Sequence, residues 1–186
     1  MVWPGSQFAT IALYNKEMAT VIRPATEADI PQILALIRAL AAYEREPDAV
    51  AATEADLRRD GFGPSPFFHC LIAEHNGRTA GFALYFFNYS TWAGRPGLYL
   101  EDLFVQPELR GFGIGKALLQ RVAAIAVENQ CPRLQWEVLD WNTPAIEFYR
   151  SLGAEFLDEW RNVRMTGEAI ARLAGIAQTA SEEAAS

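Results

Sequence analysis

A glycine-rich turn carries the residue types and spacing in this sequence that most directly indicate chemistry. An apolar run ends at Val105, a turn follows at Pro107, and three glycines at alternate positions then precede a periodic apolar segment. Such spacing lets successive backbone N–H groups face one side of the turn, and a helix amino end built this way binds phosphate oxygens. An arginine here adds positive charge or is simply solvated. The sequence therefore predicts a phosphate site at Arg110, Gly111, Phe112, Gly113, Ile114, Gly115 and Lys116.

The glycine spacing also restricts the class of ligand. A dinucleotide fingerprint requires glycines at its first, third and sixth positions, whereas Gly111, Gly113 and Gly115 stand at the first, third and fifth. A nucleoside-triphosphate loop requires Ser or Thr after its lysine, but Ala117 follows Lys116. The expected ligand is a phosphate compound of another class.

Composition bounds the partners and the location. The chain has 186 residues, a formal net charge of −7 and a sequence pI near 4.9, which disfavours binding to nucleic acid or to an anionic membrane. A small cationic molecule is the expected partner. Cys70 and Cys131 are isolated, as expected for reduced thiols of a cytoplasmic protein, and His69 and His75 have no third ligand in a suitable motif, so no metal is expected.

The domain boundaries are predicted from changes in sequence texture. Residues 1–17 are interpreted as a leader or extension outside the fold, because Met18 directly precedes a capped, periodic segment. They lack the basic start and the long apolar stretch of a signal peptide. Residues 18–177 are predicted to form a single domain and residues 178–186 a frayed tail.

Periodicity and turn residues predict the elements that position the phosphate site. Strands are predicted at 20–24, 67–74, 79–87, 98–105 and 134–139, and Asn76-Gly77 predicts a hairpin between the second and the third. Helices are predicted from about residue 26 to 43 and over 53–60, 113–128, 142–152 and 168–177. A closing hairpin is predicted from 154–157 and 160–165.

Several segments together resemble the GNAT N-acetyltransferase superfamily, and within it the diamine (spermidine/spermine) and thialysine acetyltransferases. The resemblance runs from about Val21 to Met165. It rests on the phosphate turn and on Ile22-Arg23-Pro24-Ala25-Thr26, Tyr43-Glu44, Asp60-Gly61-Phe62-Gly63, Pro66-Phe67-Phe68-His69-Cys70, Tyr99-Leu100-Glu101-Asp102, Trp141-Asn142-x-Pro144 and Phe148-Tyr149-x-x-x-Gly153-Ala154. It implies an α/β fold of the α+β type, in which helices flank a mixed, mostly antiparallel sheet splayed at the acyl-CoA site. It also implies acetyl-CoA as co-substrate and a homodimer.

The resemblance assigns the catalytic chemistry to Glu101 and Tyr149. An alkylammonium has a pKa near 10.4 and must lose a proton before its nitrogen attacks a thioester. The family's glutamate at the position of Glu101 takes that proton, and its tyrosine at the position of Tyr149 protonates the leaving thiolate. By residue type alone, Glu101 could instead be a strand-end surface charge and Tyr149 a core aromatic.

The remaining implied contacts divide between cofactor and amine. For the cofactor the resemblance implies backbone N–H groups of Leu103, Phe104 and Val105 as oxyanion donors, together with Pro144 and with Asn142, which would also cap its helix. For the amine it implies Tyr43, Glu44, Trp92, Glu101, Asp102, Gln135, Trp136 and Glu137, because carboxylates suit its charge and aromatic rings its methylene chain. Glu44 could instead be a solvated helix-end residue, and Trp92 could pack a loop.

Some positions depart from the polyamine-acetylating pattern. Ser90 replaces an acidic residue, the following loop carries Arg95 and an extra Pro96-Gly97, and Ser151-Leu152 replaces a basic pair. A shorter diamine, lysine or a lysine-like amino acid therefore fits at least as well as a polyamine. The expected function is direct acetyl transfer to a primary amine in a ternary complex. A protein N-terminal or lysine acetyltransferase and an inactive acyl-CoA-binding module are the alternatives.

Overall fold

The structure is a computed structural model that describes residues 12–13 and 20–175, and the chain divides after Glu137 into two compact units. Residues 107–109 and 27–29 form short 3-10 turns. The first unit holds β1 (Ala12–Leu13), β2 (Thr20–Pro24), α1 (Ile30–Tyr43), α2 (Glu54–Gly61), β3 (His69–His75), β4 (Arg78–Ser90), β5 (Arg95–Val105), α3 (Ile114–Glu128) and β6 (Leu134–Gln135). The second holds α4 (Thr143–Ser151) and α5 (Glu168–Leu173).

The strands form one mixed sheet in the order β1-β2-β3-β4-β5-β6. Every neighbouring pair is antiparallel except β5 and β6, which run parallel. The hairpin between β3 and β4 is confirmed at Asn76 and Gly77, whose φ angles of 52° and 74° fit the left-handed backbone of a two-residue hairpin turn. The mixed, mostly antiparallel sheet predicted from the resemblance is confirmed.

Helix α1 covers one face of this sheet. Thr26 and Asp29 form a capping box before it, and apolar residues three and four apart then face inward. They pack into a core cluster that contains Ile30, Ile33, Leu34 and Leu36 of α1, Leu57 of α2, and Cys70, Ile72, Phe82, Leu84 and Phe104 of the sheet. The sheet residues of this cluster therefore mark the face that α1 covers.

Helix α3 covers the opposite face. Its buried residues recur at helical spacing, and it contacts β4 and β5. Successive residues of a strand point to opposite faces, so Tyr85 lies on the other side of β4 from Leu84. Burial raises the pKa of Tyr85 to about 12, and the charges of Arg121 and Glu128 on α3 also act on this phenol. The strands are thus buried on both faces next to the phosphate turn.

Two predictions about individual elements need correction. The strand predicted over 134–139 is limited to Leu134–Gln135, and the closing hairpin predicted at 154–157 and 160–165 is wrong, because no strand forms there. The apolar residues that favoured this hairpin are largely exposed, with Trp160 at 70% and Val163 at 89%. A strand needs a neighbour for its backbone groups, and apolar composition alone does not supply one.

The chain ends lie mostly outside the described residues. Of the predicted leader, only Ala12–Leu13 is described, and its backbone pairs with β2. The predicted tail lies outside the described residues, so both domain boundaries stay predictions. No helix in the described part of the chain is long and apolar enough to cross a membrane.

Candidate active site

The backbone conformation of the phosphate turn requires glycine at only two of its three glycine positions. Gly111 and Gly113 have φ angles of 85° and 75°, a left-handed conformation that favours glycine, and Gly113 is the N-cap residue of α3. Gly115 lies in the first turn of α3, where an added Cβ would meet only Cγ2 of Val105, at 3.7 Å. The fold therefore requires glycine at 111 and 113, whereas glycine at 115 leaves space beside the N–H groups of the helix amino end.

Two side chains anchor this turn to the β3–β4 hairpin. The Gln106 side-chain amide donates a hydrogen bond of 3.1 Å to the carbonyl oxygen of Thr79. The Phe112 ring stacks on the imidazole of His75, with centroids 5.2 Å apart. His75 is only 5% exposed, and its Nδ1 lies 2.8 Å from the hydroxyl of Thr20. The turn is thus held in place by a buried histidine that sequence reasoning considered only as a metal ligand.

Arg110 reaches away from the turn toward the end of α1. Its Nε donates to the carbonyl oxygen of Val105 at 3.1 Å, and its guanidinium carbon lies 4.4 Å from the centroid of the Tyr43 ring. The same carbon is 5.7 Å from the centroid of the Phe104 ring. Arg110 thereby joins the phosphate turn, the end of β5 and the end of α1.

Glu101 is the extra residue of a β-bulge in β5. Leu84 pairs with Asp102 and Tyr85 pairs with Leu100, so Glu101 has no opposite residue on β4. A bulge re-aims the side chain that it carries and shifts the alternation of the strand by one residue. Asp102 consequently shares the face of Leu84 and α1, while the Glu101 side chain is exposed.

Carboxylates converge around this bulge. Burial first, and then the charges of Glu101 and Glu44, raise the pKa of Asp102 to about 6. Burial also raises the pKa of Glu44. Like charges held close together in a half-buried site favour protonation or a bound cation. The first unit therefore contains an acidic site that suits a cationic ligand.

Tyr99 extends this acidic site toward β6. Its pKa is raised to about 12, first by burial and then by a hydrogen bond to Glu137 and the charges of Glu137 and Glu101. Gln135 lies opposite Tyr99 in the parallel ladder. Sequence reasoning quoted Tyr99 in a motif without giving it a role, although its position two residues before Glu101 was the available signal.

Trp92 is not brought to this site within the chain. It lies at the tip of the hairpin between β4 and β5 and is 93% exposed. The strand advances by roughly 3.3 Å per residue, so the start of β5 at Arg95 already lies about 17 Å from Leu100, next to the bulge, and Trp92 lies beyond it at the tip. The other residues of the first unit that the resemblance assigns to the amine are half-buried or lie at the edge of the sheet, namely Tyr43, Glu44, Asp102, Gln135, Trp136 and Glu137.

The sheet opens on the β6 side of β5. Among the described residues, β5 pairs with β6 only at Leu98–Leu134 and Tyr99–Gln135. From Leu100 to Val105, backbone groups that point away from β4 have no ladder partner on β6, and these include groups in the segment from Leu103 to Val105. Backbone N–H groups freed in this way can donate to a developing oxyanion.

The second unit carries Tyr149 and Asn142 on α4. Tyr149 is buried, its ring lies 5.3 Å from that of Phe148, and burial raises the pKa of its phenol to about 12. Asn142 is the N-cap residue of α4 and Pro144 lies in the first turn, as predicted. The Asn142 side chain makes no capping hydrogen bond, because its backbone, at φ −82° and ψ 61°, lies outside the extended region usual for an N-cap.

Neither a metal centre nor a thiol nucleophile emerges from the described residues. They contain no group of three His, Cys, Asp or Glu side chains that could hold a metal ion. The Cys70 thiol is buried, and this burial raises its pKa to about 12, which keeps it protonated and unreactive.

Comparison with known proteins agrees with this arrangement. Residues 32–154 match the acetyltransferase (GNAT) family. The thialysine N-epsilon-acetyltransferase of Sus scrofa is 46% identical over 85% of this chain and 99% of its own length. The L-ornithine N5-acetyltransferase of Arabidopsis thaliana is 33% identical over 82% of this chain and 87% of its own. An integron cassette protein of V. cholerae has a TM-score of 0.71 at 28% identity, covering 83% of this chain and 97% of that one.

Proposed function

Because this chain belongs to the acetyltransferase (GNAT) family, we propose that it transfers acetyl from acetyl-CoA to the primary amine of a small cationic molecule. One observation carries the proposal. The bulge puts the Glu101 carboxylate next to Asp102 on the strand that leads directly into the phosphate turn, where the charge of Glu44 also acts on Asp102 and those of Glu101 and Glu137 act on Tyr99. An amine-binding site and a phosphate site thus share one strand.

The phosphate turn is assigned to the pyrophosphate of acetyl-CoA. The helix amino end at Gly113 supplies N–H groups and a favourable dipole for anionic oxygens. Backbone N–H groups between Leu103 and Val105 are assigned to the thioester oxygen, and Asn142 and Pro144 to further cofactor contacts. The opening between β5 and β6 supports this assignment, because a donor already bonded to a neighbouring strand would not be available.

Glu101 is assigned as the general base. The amine enters as an ammonium, Glu101 accepts one of its protons, and the neutral nitrogen then attacks the thioester carbon. The C–N bond forms as the C–S bond breaks, without an acyl-enzyme, so the reaction is a direct transfer in a ternary complex. Asp102, Glu44 and Glu137 contribute negative charge that favours the cationic substrate.

Tyr149 is assigned as the general acid that protonates the departing thiolate sulfur. A phenol whose pKa is raised to about 12 by burial stays protonated at neutral pH and is therefore in the form required to donate. Solvent then restores its proton. The nitrogen loses a second proton to solvent as the amide forms, so one turnover releases two protons from the ammonium, returns one to the thiolate and leaves one net proton in solution.

Relatives support an amine with lysine-like dimensions. Those reported above are named for thialysine and for L-ornithine, both of which carry a side-chain amine. We propose a diamine, polyamine, lysine or thialysine-like substrate, with Tyr43, Gln135, Trp136 and Trp92 as further contacts. We also propose a cytoplasmic homodimer, in which Trp92 would meet substrate only through the partner copy, given its distance from Glu101 within one chain.

A panel of diamines, polyamines, ornithine, lysine and thialysine tests the proposal through release of free CoA from acetyl-CoA. Turnover with at least one amine, reduced at least about 100-fold by Glu101→Gln, is expected. Glu46→Gln is the matched control, because Glu46 is exposed in the loop after α1 and has no assigned role. Turnover that is unchanged in Glu101→Gln would remove the base assignment, and CoA binding without turnover of any amine would favour an inactive binding module.

A further inference from the structure

The side chain of Arg110 makes contacts that a phosphate ligand does not need. Its Nε donates a hydrogen bond to the carbonyl oxygen of Val105 at 3.1 Å, which restricts the orientation of the guanidinium group. Its guanidinium carbon lies over the Tyr43 ring, 4.4 Å from the ring centroid. The residue therefore leaves the turn sideways, along the end of β5, and ends on α1.

Tyr43 is the residue that brings α1 to the acidic site. It ends the helix, and the next residue, Glu44, contributes one of the charges that act on Asp102. Arg45 then adopts a φ of 69°, so the chain leaves the helical path immediately after Glu44. The placement of Glu44 therefore depends on how the last turn of α1 is held against the sheet. Arg110 and Phe104 both contact the Tyr43 ring of that turn, beside the packing of Leu40 against the core.

We infer that Arg110 is a positioning residue for the amine site, holding Tyr43, and through it Glu44, against the end of β5. The inference rests on the proposed function, because it concerns the affinity for the acetyl acceptor. It changes what the arginine of the phosphate turn does: the backbone of the turn serves one substrate, while this side chain serves the other. A lysine is not expected to replace it, because an ammonium has neither a planar guanidinium to lie over Tyr43 nor an Nε donor for the carbonyl oxygen of Val105.

The two roles of Arg110 predict opposite kinetic patterns. If the Arg110 side chain bound the pyrophosphate, its substitution would weaken CoA binding, and Arg110→Lys would restore much of that affinity by restoring the charge. If Arg110 is a positioning residue, its substitution would weaken the enzyme's affinity for the amine at saturating acetyl-CoA, and Arg110→Lys would not restore this affinity. The difference therefore appears in which substrate is affected and in whether charge alone is sufficient.

The experiment compares Arg110→Gln, Arg110→Lys and Lys116→Gln in the full chain. Isothermal titration calorimetry gives the Kd for CoA, and steady-state assays give the KM for the best amine of the panel. Lys116→Gln is the matched control, because it removes one positive charge from the same segment without touching Tyr43. We expect both Arg110 variants to raise the amine KM by roughly two- to five-fold, the range of an exposed cation–π contact. We expect their Kd for CoA to rise no more than in Lys116→Gln.

A second background isolates the contact with Tyr43. In Tyr43→Leu, which removes the ring, Arg110→Gln should cause no further rise in amine KM, because the partner is already lost. The inference is overturned if the two substitutions multiply, or if Arg110→Gln weakens CoA binding beyond Lys116→Gln and leaves the amine KM unchanged. Should the wild type acetylate no amine, the proposed function fails. The calorimetric comparison then still decides whether Arg110 binds the cofactor.

Discussion

The imidazole of His75 stacks on the ring of Phe112 at a centroid distance of 5.2 Å and joins the β3–β4 hairpin to the phosphate turn. Phe112 stands between two glycines in left-handed conformations, so the local backbone alone restricts the turn weakly. The buried imidazole of His75, hydrogen-bonded to the hydroxyl of Thr20, gives the turn a rigid surface to pack against. If CoA binds here as proposed, binding to a turn held in this way would avoid part of the entropy cost of ordering it.

This stack predicts a specific loss of cofactor affinity. His75→Leu and Phe112→Leu should each raise the Kd for CoA by roughly 2- to 10-fold, the range of an aromatic pair, and His75→Phe should restore most of the affinity by keeping a ring. His69→Leu is the control, because His69 lies on the same strand and contacts Tyr85, 5.4 Å away, instead of the turn. Equal Kd values for His75→Leu and His69→Leu in calorimetry would refute this role.

Asp102 predicts a pH-dependent loss of stability. Its pKa is raised from 3.8 to about 6, first by burial and then by Glu101 and Glu44, so the folded protein holds its proton where the unfolded chain has released it. The free energy of unfolding should therefore fall as pH rises from about 4 to about 6, and the change should be complete above pH 6. At about 1.4 kcal/mol per pKa unit, reduced for partial exposure, the cost of the charged form is about 2 kcal/mol.

Asp102→Asn should remove this dependence. Urea unfolding at pH 4, 5, 6 and 7 is expected to show a difference between variant and wild type that shifts by about 2 kcal/mol in favour of the variant over this range. Asp48→Asn, at an exposed loop position, is the control and should track the wild type. A difference between Asp102→Asn and wild type that is constant with pH would show that the carboxyl ionises normally.

Substitution by alanine should have opposite effects on the free energy of unfolding at Gly81 and at Gly115. A Cβ at Gly81 would overlap the carbonyl oxygen of Phe104 and lie 3.1 Å from Cα of Val105, both of which are backbone atoms that cannot rotate away. Gly81→Ala should therefore lower the free energy of unfolding by about 1–3 kcal/mol and weaken CoA binding as the end of β5 moves.

Gly115→Ala should separate these two effects. Its Cβ has ordinary contact distance to Val105, and alanine favours a helix over glycine by up to about 1 kcal/mol, so stability should be maintained or increased. Affinity for CoA should nevertheless fall at least about tenfold if phosphate oxygens approach the helix amino end closely. Thermal unfolding and calorimetry on the same samples test both statements, and an unchanged Kd would show that the ligand does not use this space.

Tyr149 predicts a loss of rate with little loss of fold. Tyr149→Phe keeps the ring in place and should lower kcat by about 100-fold or more while changing both KM values little, as expected for a group that acts on the leaving thiolate. Tyr85→Phe is the matched control, since that phenol is also buried with a pKa of about 12 and has no assigned role. If both variants keep the wild-type kcat, Tyr149 is a core aromatic.

Much of the fold follows from local signals that act over a few residues. The helix predicted over 53–60 begins after Thr53, whose side chain accepts a hydrogen bond from Asp56 N–H, and the predicted turn forms at Asn76-Gly77. Both features are determined by neighbours in sequence. The hairpin predicted over 154–165 failed because its strands would need a third partner that no local signal specifies. Periodicity reports which residues can be buried, whereas pairing depends on what lies alongside.

The site shows the same division between local and long-range information. The phosphate turn could be predicted because its glycines and the helix that follows them are contiguous in sequence. The stack of His75 on Phe112 and the reach of Arg110 to Tyr43 join residues that are 37 and 67 positions apart, and no spacing rule connects them. The bulge left a weak signal, since buried Leu98 and Leu100 are followed by two adjacent acids, which breaks the alternation of the strand.

The bulge at Glu101 also bears on how this fold can lose and gain activity during evolution. Since Glu101 has no opposite residue on β4, a deletion of that single codon would leave the pairing of Leu100 with Tyr85 and of Asp102 with Leu84 in place. The shortened protein would retain its sheet and its phosphate turn but not its proposed base. On the proposed assignment of Glu101, one in-frame deletion would separate an acetyltransferase from a cofactor-binding relative, and an insertion at the same point would offer the reverse path.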